Sequence, residues 1–190
     1  MADRERDRIS VLAFAGSLRR KSYNRALVRA AREVAPPEIE VTTFALDGIP
    51  LFNQDVEADG FPERVREFHQ AIASSDALLI ATPEYQHGIP GVLKNAVDWA
   101  SRPPRKAAIL RKPVAIMGAT PGMWGTARAQ SQLRQALVYN GCPMVLQPEV
   151  LVSNAGDRFD DEGRLIHKAT RKFIGQLLEA LVDLTRRHAG

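Results

Sequence analysis

Five short apolar runs alternate with longer amphipathic stretches along this chain, and this alternation limits its possible folds more than any other feature. The runs have the length of strands, whereas the stretches between them repeat apolar residues at helical spacing. Strands that alternate with helices pair in parallel, and right-handed crossovers then place helices on both faces of the sheet. We therefore predict an α/β fold with a doubly wound, five-stranded parallel sheet. Its strands are expected at about residues 9–15, 39–45, 77–81, 113–118 and 148–152.

Prolines and apolar faces indicate where the helices between these runs begin and end. The first helix is expected to end at Pro36-Pro37 and the second to begin at Pro62, because proline favours helix boundaries. The 190 residues contain no internal repeat or linker, and this length suits one well-buried domain better than two. We expect a single domain over residues 1–190 with a flexible N-terminus at residues 1–8. The helices are predicted at about residues 24–35, 62–74, 89–100, 126–139 and 163–187.

Charge, hydropathy and cysteine content exclude several classes of protein. The net charge is +4, but the 26 basic side chains are mixed with 22 acidic ones rather than gathered in a stripe, so we expect no nucleic-acid partner. No window is apolar enough for a bilayer span, and the charged N-terminus does not lead into a signal sequence, so we expect a cytoplasmic protein with no membrane partner. Cys142 is the single cysteine, which excludes an internal disulfide, and we predict no metal site.

The loop after the first predicted strand has the composition of an anion-binding site. It reads Gly16-Ser17-Leu18-Arg19-Arg20-Lys21-Ser22-Tyr23-Asn24 and leads directly into a helix. Free N–H groups and the positive end of the helix dipole would join these hydroxyls and cations in a phosphate cradle. The single glycine fits neither a P-loop nor a dinucleotide fingerprint. The alternative is that Ser22 or Asn24 only caps the helix while the cations are solvated.

Two more loops follow the third and fourth strands, at the edge where open parallel sheets bind their ligands. Residues 82–90 contain two prolines and one glycine, which make a stiff loop, and Tyr85 or His87 would cover one face of a planar ring. Residues 118–126 are glycine-rich and again precede a helix, so their N–H groups would form a nest for negative charge. The alternative for both loops is a capped turn that serves packing alone.

Together, these loops resemble the NADPH-dependent FMN reductases of flavodoxin-like fold, a family that includes quinone, azo-dye and chromate reductases. The resemblance covers about residues 9–152 and depends on residues 16–24, on Pro83-Glu84-Tyr85 with Leu93-Lys94-Asn95-Ala96, and on the turn from Gly118 to Gly125. It implies a bound FMN and NADPH or NADH as cosubstrate. The implied FMN contacts are Ser17, Arg19, Ser22 and Asn24 at the phosphate; Pro83, Glu84, Tyr85, Gln86, His87 and Gly88 at the N5/O4 edge; and Thr120, Pro121, Gly122 and Gly125 near N1/O2. At the two ring edges, we expect backbone donors of residues 84–88 and 120–125 to make these contacts.

The resemblance also implies an activity that needs no catalytic side chain. Hydride would pass from the nicotinamide to flavin N5, and then to a small acceptor such as a quinone, an azo compound, chromate or free flavin. Two alternatives remain, a non-enzymatic electron carrier like flavodoxin and an anion-binding module without FMN. The net charge of +4 disfavours the carrier, because flavodoxins are typically acidic.

Further expectations from the resemblance concern assembly and nucleotide choice. The relatives form oligomers, so we expect a homodimer or homotetramer with Trp99, Trp124 and Tyr139 as candidate contacts. Gln86 replaces an asparagine that is common in the family, and Pro121 removes an N–H donor, which leaves open the amide that faces the pyrimidine end of the flavin. The choice between NADPH and NADH also stays open, because several cations are candidate partners for a 2′-phosphate: Arg20, Lys21, Arg102 and Arg105.

Overall fold

The fold is a parallel five-stranded sheet between two layers of helices. The computed structural model describes residues 8–189. Every neighbouring pair of strands is parallel, and their order in the sheet is β2-β1-β3-β4-β5, which is the flavodoxin-like order. The predicted fold class is confirmed. The strands are β1 (Ile9–Ala15), β2 (Ile39–Phe44), β3 (Ala77–Ala81), β4 (Val114–Ala119) and β5 (Val150–Val152).

Six α-helices occupy the crossovers and the C-terminal region of the described chain. They are α1 (Tyr23–Val34), α2 (Gln54–Ala58), α3 (Glu63–Ala73), α4 (Gly91–Ala100), α5 (Ala127–Val138) and α6 (Lys168–Ala189), and a short 3-10 helix spans Ala155–Asp157. The sequence analysis missed α2, a five-residue helix with no buried residue and hence no apolar face.

The predicted start of the last helix near residue 163 is wrong. Residues 160–164 instead form a turn in which the backbone N–H of Asp160 donates to the carbonyl of Arg164, and Phe159 pairs with Leu165. Gly163 takes a φ of +74° there, which ends regular helix. Most of the expected flexible N-terminus, residues 1–7, lies outside the described residues.

The sheet has an apolar core on each face. Alternate residues of β1 point to opposite sides, so Val11 and Ala13 pack with α1 and α6, whereas Leu12 and Phe14 pack with α3, α4 and α5. All five residues of β3 are buried, as expected for a central strand of a sheet covered on both faces. The carboxyl ends of β1, β3 and β4 therefore meet at one edge of a rigid platform.

Trp99 belongs to the core, so the prediction that it forms a subunit contact is wrong. Its side chain is fully buried, and its Nε1 donates to the carbonyl oxygen of Pro50 at 2.8 Å. The Nδ2 of Asn95 donates to the same oxygen at 2.9 Å, and the Oδ1 of Asn95 accepts from the N–H of Phe52 at 2.7 Å. These bonds fasten the segment after β2 to α4.

Within residues 8–189, no helix has the length and apolar composition that crossing a bilayer requires. The same range contains no group of three or more His, Cys, Asp or Glu side chains arranged to hold a metal ion.

Candidate functional site

Three loops meet at the carboxyl edge of the sheet and enclose a cavity of about 230 Å³. They follow β1, β3 and β4, the strands on either side of the switch point where the strand order reverses. The cavity is lined by Ser17, Arg19, Ser22, Tyr23, Asn24, Pro83, Glu84, Tyr85, Ala119, Thr120 and Pro121. It therefore gathers predicted residues from all three loops, whereas Gln86, His87, Gly88, Gly122 and Gly125 lie outside its lining.

The loop after β1 presents unused hydrogen-bond donors at this cavity. Within the described residues, the backbone N–H groups of residues 17–21 donate to no protein acceptor. The Ser17 hydroxyl is likewise without a protein partner, although Ser17 is only 3% exposed and lines the cavity. Leu18, Arg19, Arg20 and Lys21 are exposed, so their N–H groups are free to bind a ligand. An anionic ligand such as a phosphate would supply the missing acceptors.

Ser22 serves both as a helix cap and as a wall of the cavity. Its Oγ accepts from the N–H groups of Asn24 at 3.2 Å and Arg25 at 3.4 Å, which is the N-cap geometry. The hydroxyl hydrogen remains available to a ligand oxygen, because a serine can donate and accept at once. The capping alternative and the cradle are therefore compatible at this residue.

Asn24 links two loops rather than pointing freely at a ligand. Its Nδ2 donates to the carbonyl of Ala119 at 2.9 Å, and its Oδ1 accepts from the N–H of Ala119 at 2.9 Å. This pair of bonds ties the first turn of α1 to the end of β4. Only the second Nδ2 hydrogen is left for a phosphate, so the predicted phosphate contact of Asn24 stays a prediction that depends on this hydrogen.

Arg25 is a site residue that sequence reasoning missed. Its Nε donates to the carbonyl of Ser17 at 2.9 Å, and its Nη2 pairs with Asp47 Oδ2 at 2.5 Å. The guanidinium thus holds the backbone of the first loop against a carboxylate anchored after β2. No motif marks this role, because an arginine on the first turn of a helix looks like any solvated cation.

Gly16 is required by the close approach of α4 to this loop. A Cβ built on Gly16 would lie 2.9 Å from the Cβ of Leu93, closer than side-chain carbons approach in real structures. The N–H of Gly16 continues the sheet by donating to the carbonyl of Ala81 at 2.8 Å. The turn therefore opens into the cradle immediately beyond the last paired residue.

The loop after β3 contains a tight two-residue turn that the sequence did not indicate. Tyr85 and Gly88 exchange two backbone hydrogen bonds of 3.1 and 3.0 Å, and both intervening residues have positive φ, 48° at Gln86 and 62° at His87. The predicted use of the Tyr85 and Gly88 N–H groups as flavin donors is therefore wrong, since each is already satisfied. Positive φ at non-glycine residues stores strain that often accompanies binding loops.

The Glu84 carboxylate caps α5, whereas the predicted flavin contact of Glu84 through its backbone N–H stays a prediction. Its Oε2 accepts from the backbone N–H groups of Arg128 at 3.0 Å and Ala129 at 3.1 Å, and its Oε1 lies 3.3 Å from Arg128 Nη1. Thr126, at the N-cap position, makes no side-chain cap. A carboxylate from another loop therefore satisfies the positive end of this helix.

Gln132 is a second missed residue, one helical turn beyond the Glu84 contacts. Its Oε1 accepts from the N–H of Ile89 at 3.2 Å. A Cβ on Gly88 would lie 2.6 Å from that same oxygen, so the Gln132 amide packs directly against the loop. Glu84 and Gln132 together fix the β3 loop to α5.

The loop after β4 is hydrogen-bonded to β5, which leaves it fewer free backbone N–H groups for a ligand. The Thr120 N–H already donates to the carbonyl of Val152 at 3.0 Å, and Pro121 has none to give. The predicted N–H donor near N1/O2 therefore cannot be that of Thr120. Gly125 has a φ of +58° and packs so closely on Leu151 that a Cβ would lie 2.8 Å from its backbone. Gly125 thus shapes the loop rather than lining the cavity.

Another cavity, of about 180 Å³, lies between the carboxyl ends of β1 and β2 but lacks comparable chemistry. Its walls are mainly apolar, and its two cations are already engaged. Arg25 is bonded to Ser17 and Asp47, and Arg29 donates to the carbonyl of Gly163 at 3.1 Å. The three-loop cavity therefore remains the candidate site.

The three-loop cavity suits a ligand that joins a phosphate to a planar ring. Unpaired N–H groups, hydroxyls and Arg19 lie at one end, and the rigid loops after β3 and β4, with the half-exposed ring of Tyr85, lie at the other. FMN carries such a phosphate and ring, so the residues present fit this cofactor. Glu84, the carboxylate in the lining, is engaged by α5 and is not placed to act as a general acid or base.

Comparisons with known proteins point to the same ligand. The family model for NADPH-dependent FMN reductase matches residues 9–157. An NAD(P)H-dependent FMN reductase of Pseudomonas aeruginosa is 48% identical over 184 residues, covering 97% of this chain and 99% of that protein. A 2-hydroxy-1,4-benzoquinone reductase of a Burkholderia species is 41% identical, covering 90% of this chain and 93% of the relative. The solved structure of FerB, an NAD(P)H:(acceptor) oxidoreductase from Paracoccus denitrificans, superimposes with a TM-score of 0.86 at 34% identity and covers 95% of this chain and 98% of that one.

Proposed function

The chain belongs to the NADPH-dependent FMN reductase family, and from this premise we propose that its three-loop cavity holds FMN and serves the reduction of small quinones. It is an NAD(P)H-dependent, FMN-containing oxidoreductase rather than an electron carrier of the flavodoxin kind. The observation that carries the proposal is the set of unpaired donors in the loop after β1, where Ser17 and Arg19 line the cavity. We also propose that the described sheet and its helices form one reductase domain.

The phosphate is assigned to the loop after β1. The N–H groups of residues 17–21, the hydroxyls of Ser17 and Ser22 and the Arg19 guanidinium supply the charge-assisted hydrogen bonds that a phosphate needs. Arg19 is exposed and donates to the protein only at the Lys21 carbonyl, at 3.2 Å. It can therefore turn toward a ligand at little cost.

The ring is assigned to the space between the loops after β3 and β4. The N–H groups of Gln86 and His87 donate to no residue in the described chain, and the tight turn fixes their direction. Met123, Trp124 and Gly125 likewise keep free N–H groups ahead of α5. These two sets of dipoles orient the cofactor and stabilise negative charge on it.

FMN, when bound, supplies two-electron transfer from a reduced nicotinamide to an acceptor. The protein's task is then to bind and orient its partners. A quinone is the proposed acceptor class, because a relative that is 41% identical is a 2-hydroxy-1,4-benzoquinone reductase. Azo compounds, chromate and free flavin are the other acceptors to compare.

We further place the protein in the cytoplasm as a homodimer or homotetramer. Tyr139, Leu146 and Val138 are 83%, 68% and 58% exposed, and apolar side chains so exposed near one helix end favour association. Trp124 is also exposed, beside the site. Sedimentation velocity of the FMN-loaded protein tests this assembly, and a monomer at all concentrations would contradict it.

Two measurements test the central proposal. The purified protein should bind FMN, and anaerobic NADPH should then bleach its visible absorbance at a rate matching turnover with a quinone. FMN that binds without bleaching would return the chain to the carrier alternative.

Arg19→Ala tests the phosphate assignment. The variant should bind FMN about 10- to 150-fold more weakly, because a hydrogen bond to a charged group contributes about 1.5–3 kcal/mol. Arg32→Ala is the matched control, an exposed arginine at the last turn of α1. Equal FMN affinity in both variants would show that Arg19 is only solvated.

A further inference from the structure

A second, larger cavity adjoins the three-loop cavity on the far side of the loop after β1. We call it the flanking cavity. Its volume is about 330 Å³, and it shares Arg19, Ser22 and Tyr23 with the three-loop cavity. The loop after β1 therefore forms a wall of both cavities. The remaining lining residues are Arg20, Lys21, Ala26, Arg29, Gly156, Phe159, Asp160, Asp161, Glu162 and Gly163.

One wall of the flanking cavity is strongly cationic. Arg19, Arg20 and Lys21 are consecutive and exposed, and none of them forms an ion pair within residues 8–189. Arg29 adds a fourth cation from the next turn of α1, where its Nη2 donates to the Gly163 carbonyl at 3.1 Å. If Arg19 serves the FMN phosphate, Arg20 and Lys21 remain without an assigned partner.

The opposite wall is acidic, and one arginine neutralises part of its charge. Arg164 Nε pairs with Asp160 Oδ2 at 2.7 Å, and its Nη2 pairs with Glu162 Oε2 at 3.1 Å. The backbone N–H of Arg164, followed by its guanidinium, lowers the pKa of the Asp160 carboxyl, so that Asp160 stays ionised and paired. Asp161 alone on this wall carries no ion pair within the described residues. The cavity as a whole therefore favours an anion, while its carboxylates offer acceptors to hydroxyl or amino groups.

An aromatic pair lies between the two walls. The rings of Tyr23 and Phe159 have centroids 5.1 Å apart and an interplanar angle of 35°, and both residues line the cavity. Phe159 is only 6% exposed, so mainly the partly exposed Tyr23 ring is open to a heterocycle or a ribose. Cations, acceptors and an aromatic surface together match a phosphorylated nucleoside better than a bare anion.

We propose that the flanking cavity binds the adenosine 2′-phosphate group of NADPH through Arg20 and Lys21, which makes the protein selective for NADPH over NADH. The inference rests on the proposed function, since the nicotinamide of the same molecule must reach the adjoining cavity. NADH carries a hydroxyl where NADPH carries a phosphate, so two cations that have no other partner discriminate between the nucleotides. Arg19 is shared between the cavities, which joins the two parts of the site.

The first test compares kcat/KM for NADPH and NADH in the FMN-loaded protein and in the double variant Arg20→Gln, Lys21→Gln. The variant should lose about tenfold of its preference for NADPH, because contacts to a phosphate are lost, while kcat/KM with NADH changes less than twofold. Lys168→Gln, Lys172→Gln removes the same charge from an exposed part of α6 and should keep the wild-type ratio. An equal fall with both nucleotides, or an unchanged ratio, would overturn the assignment.

A binding measurement separates this inference from the proposed function. By calorimetry, 2′,5′-ADP should bind the wild-type protein about tenfold more tightly than 5′-ADP, and the double variant should lose this difference. Protein that binds 2′,5′-ADP selectively but cannot transfer electrons would keep the inference and reject the reductase proposal. Protein that reduces its FMN yet binds 2′,5′-ADP and 5′-ADP equally would keep the reductase proposal and reject the inference. Inorganic phosphate that displaces 2′,5′-ADP at comparable concentration would reduce the cavity to a general anion site and overturn the inference.

Discussion

At the scale of single residues, the arrangement of the first loop depends on side chains that no ligand needs to touch. Arg25 contacts the Ser17 carbonyl through Nε and Asp47 through Nη2. A guanidinium can hold two partners in fixed directions, whereas a lysine ammonium is a single point charge on a flexible stem. The loop geometry should therefore be sensitive to the shape of this cation as well as to its charge.

The variant Arg25→Lys should weaken FMN binding about three- to tenfold, because losing one neutral-acceptor hydrogen bond costs about 1 kcal/mol and loosens the cradle. Titration of the apoprotein with FMN, followed by fluorescence, measures this. Arg32→Lys, the same exchange at the far end of α1, is the control. If Arg25→Lys lowers the melting temperature of the apoprotein but leaves FMN affinity intact, Arg25 serves only the fold.

At the scale of elements, α5 connects the loop after β3 to the loop after β4. Glu84 satisfies two N–H groups at the start of α5, and Gln132 holds the loop again one turn later. The helix start therefore carries a fixed negative charge from another loop. Because the carboxylate is only 9% exposed, solvent screens these contacts weakly.

Glu84→Gln keeps the shape of the side chain but removes its charge. We expect a loss of about 1–2 kcal/mol in the free energy of unfolding, from weaker hydrogen bonds at the positive end of the helix. Urea unfolding of the apoprotein measures this value. Glu179→Gln, at an exposed position of α6, should change it by less than about 0.5 kcal/mol. Equal stability of the two variants would contradict the capping role of Glu84.

All five strands and the longer helices were predictable from the sequence, but the short α2, the start of α6 and the bonds between loops were not. The apolar run at β3 and the prolines before α3 and α4 mark those elements by local chemistry alone. The Asn24–Ala119 and Glu84–Arg128 contacts join residues 95 and 44 positions apart. Such contacts depend on how the crossovers pack, which periodicity does not encode. The sequence therefore singled out Glu84 and Asn24 as site residues without indicating the partners that the fold gives their side chains.

At the scale of the whole molecule, packing that periodicity does not encode also explains why Trp99 was wrongly expected at a subunit contact. Trp99 lies on the apolar face of α4 and is fully buried, whereas Tyr139 follows α5 and is 83% exposed. Both are aromatic residues at or beside a helix, and composition does not separate them. Packing on the sheet decides which of them is available to a second copy of the chain.

The stability of the whole fold should also depend on pH through Cys142, which is buried beneath β4. Burial raises the pKa of its thiol from 9.0 to about 11, because the thiolate is poorly solvated inside the protein. A raised pKa means that the unfolded chain ionises first as the pH increases. The contribution of this thiol to stability is therefore complete below pH 9 and is lost between about pH 9 and 11.

Lys112 has the opposite effect on the pH dependence of stability. Burial lowers the pKa of its ammonium, and Asp76 opposes that shift, so the folded state releases this proton more readily than the unfolded chain. Lys112 therefore increases the free energy of unfolding as the pH rises toward the ordinary pKa of a lysine side chain. A pH profile of the wild type alone would mix the two groups.

Comparison with Cys142→Ala isolates the thiol. The wild type should exceed the variant in unfolding free energy at pH 7, because the variant leaves a small cavity. That difference should shrink by about 1 kcal/mol between pH 8 and pH 10, since only the wild type can ionise a thiol on unfolding. Urea unfolding at both pH values gives the four free energies, and Lys112 cancels because both proteins contain it. A difference that stays constant across this range would mean that the Cys142 thiol ionises as easily in the fold as in the unfolded chain.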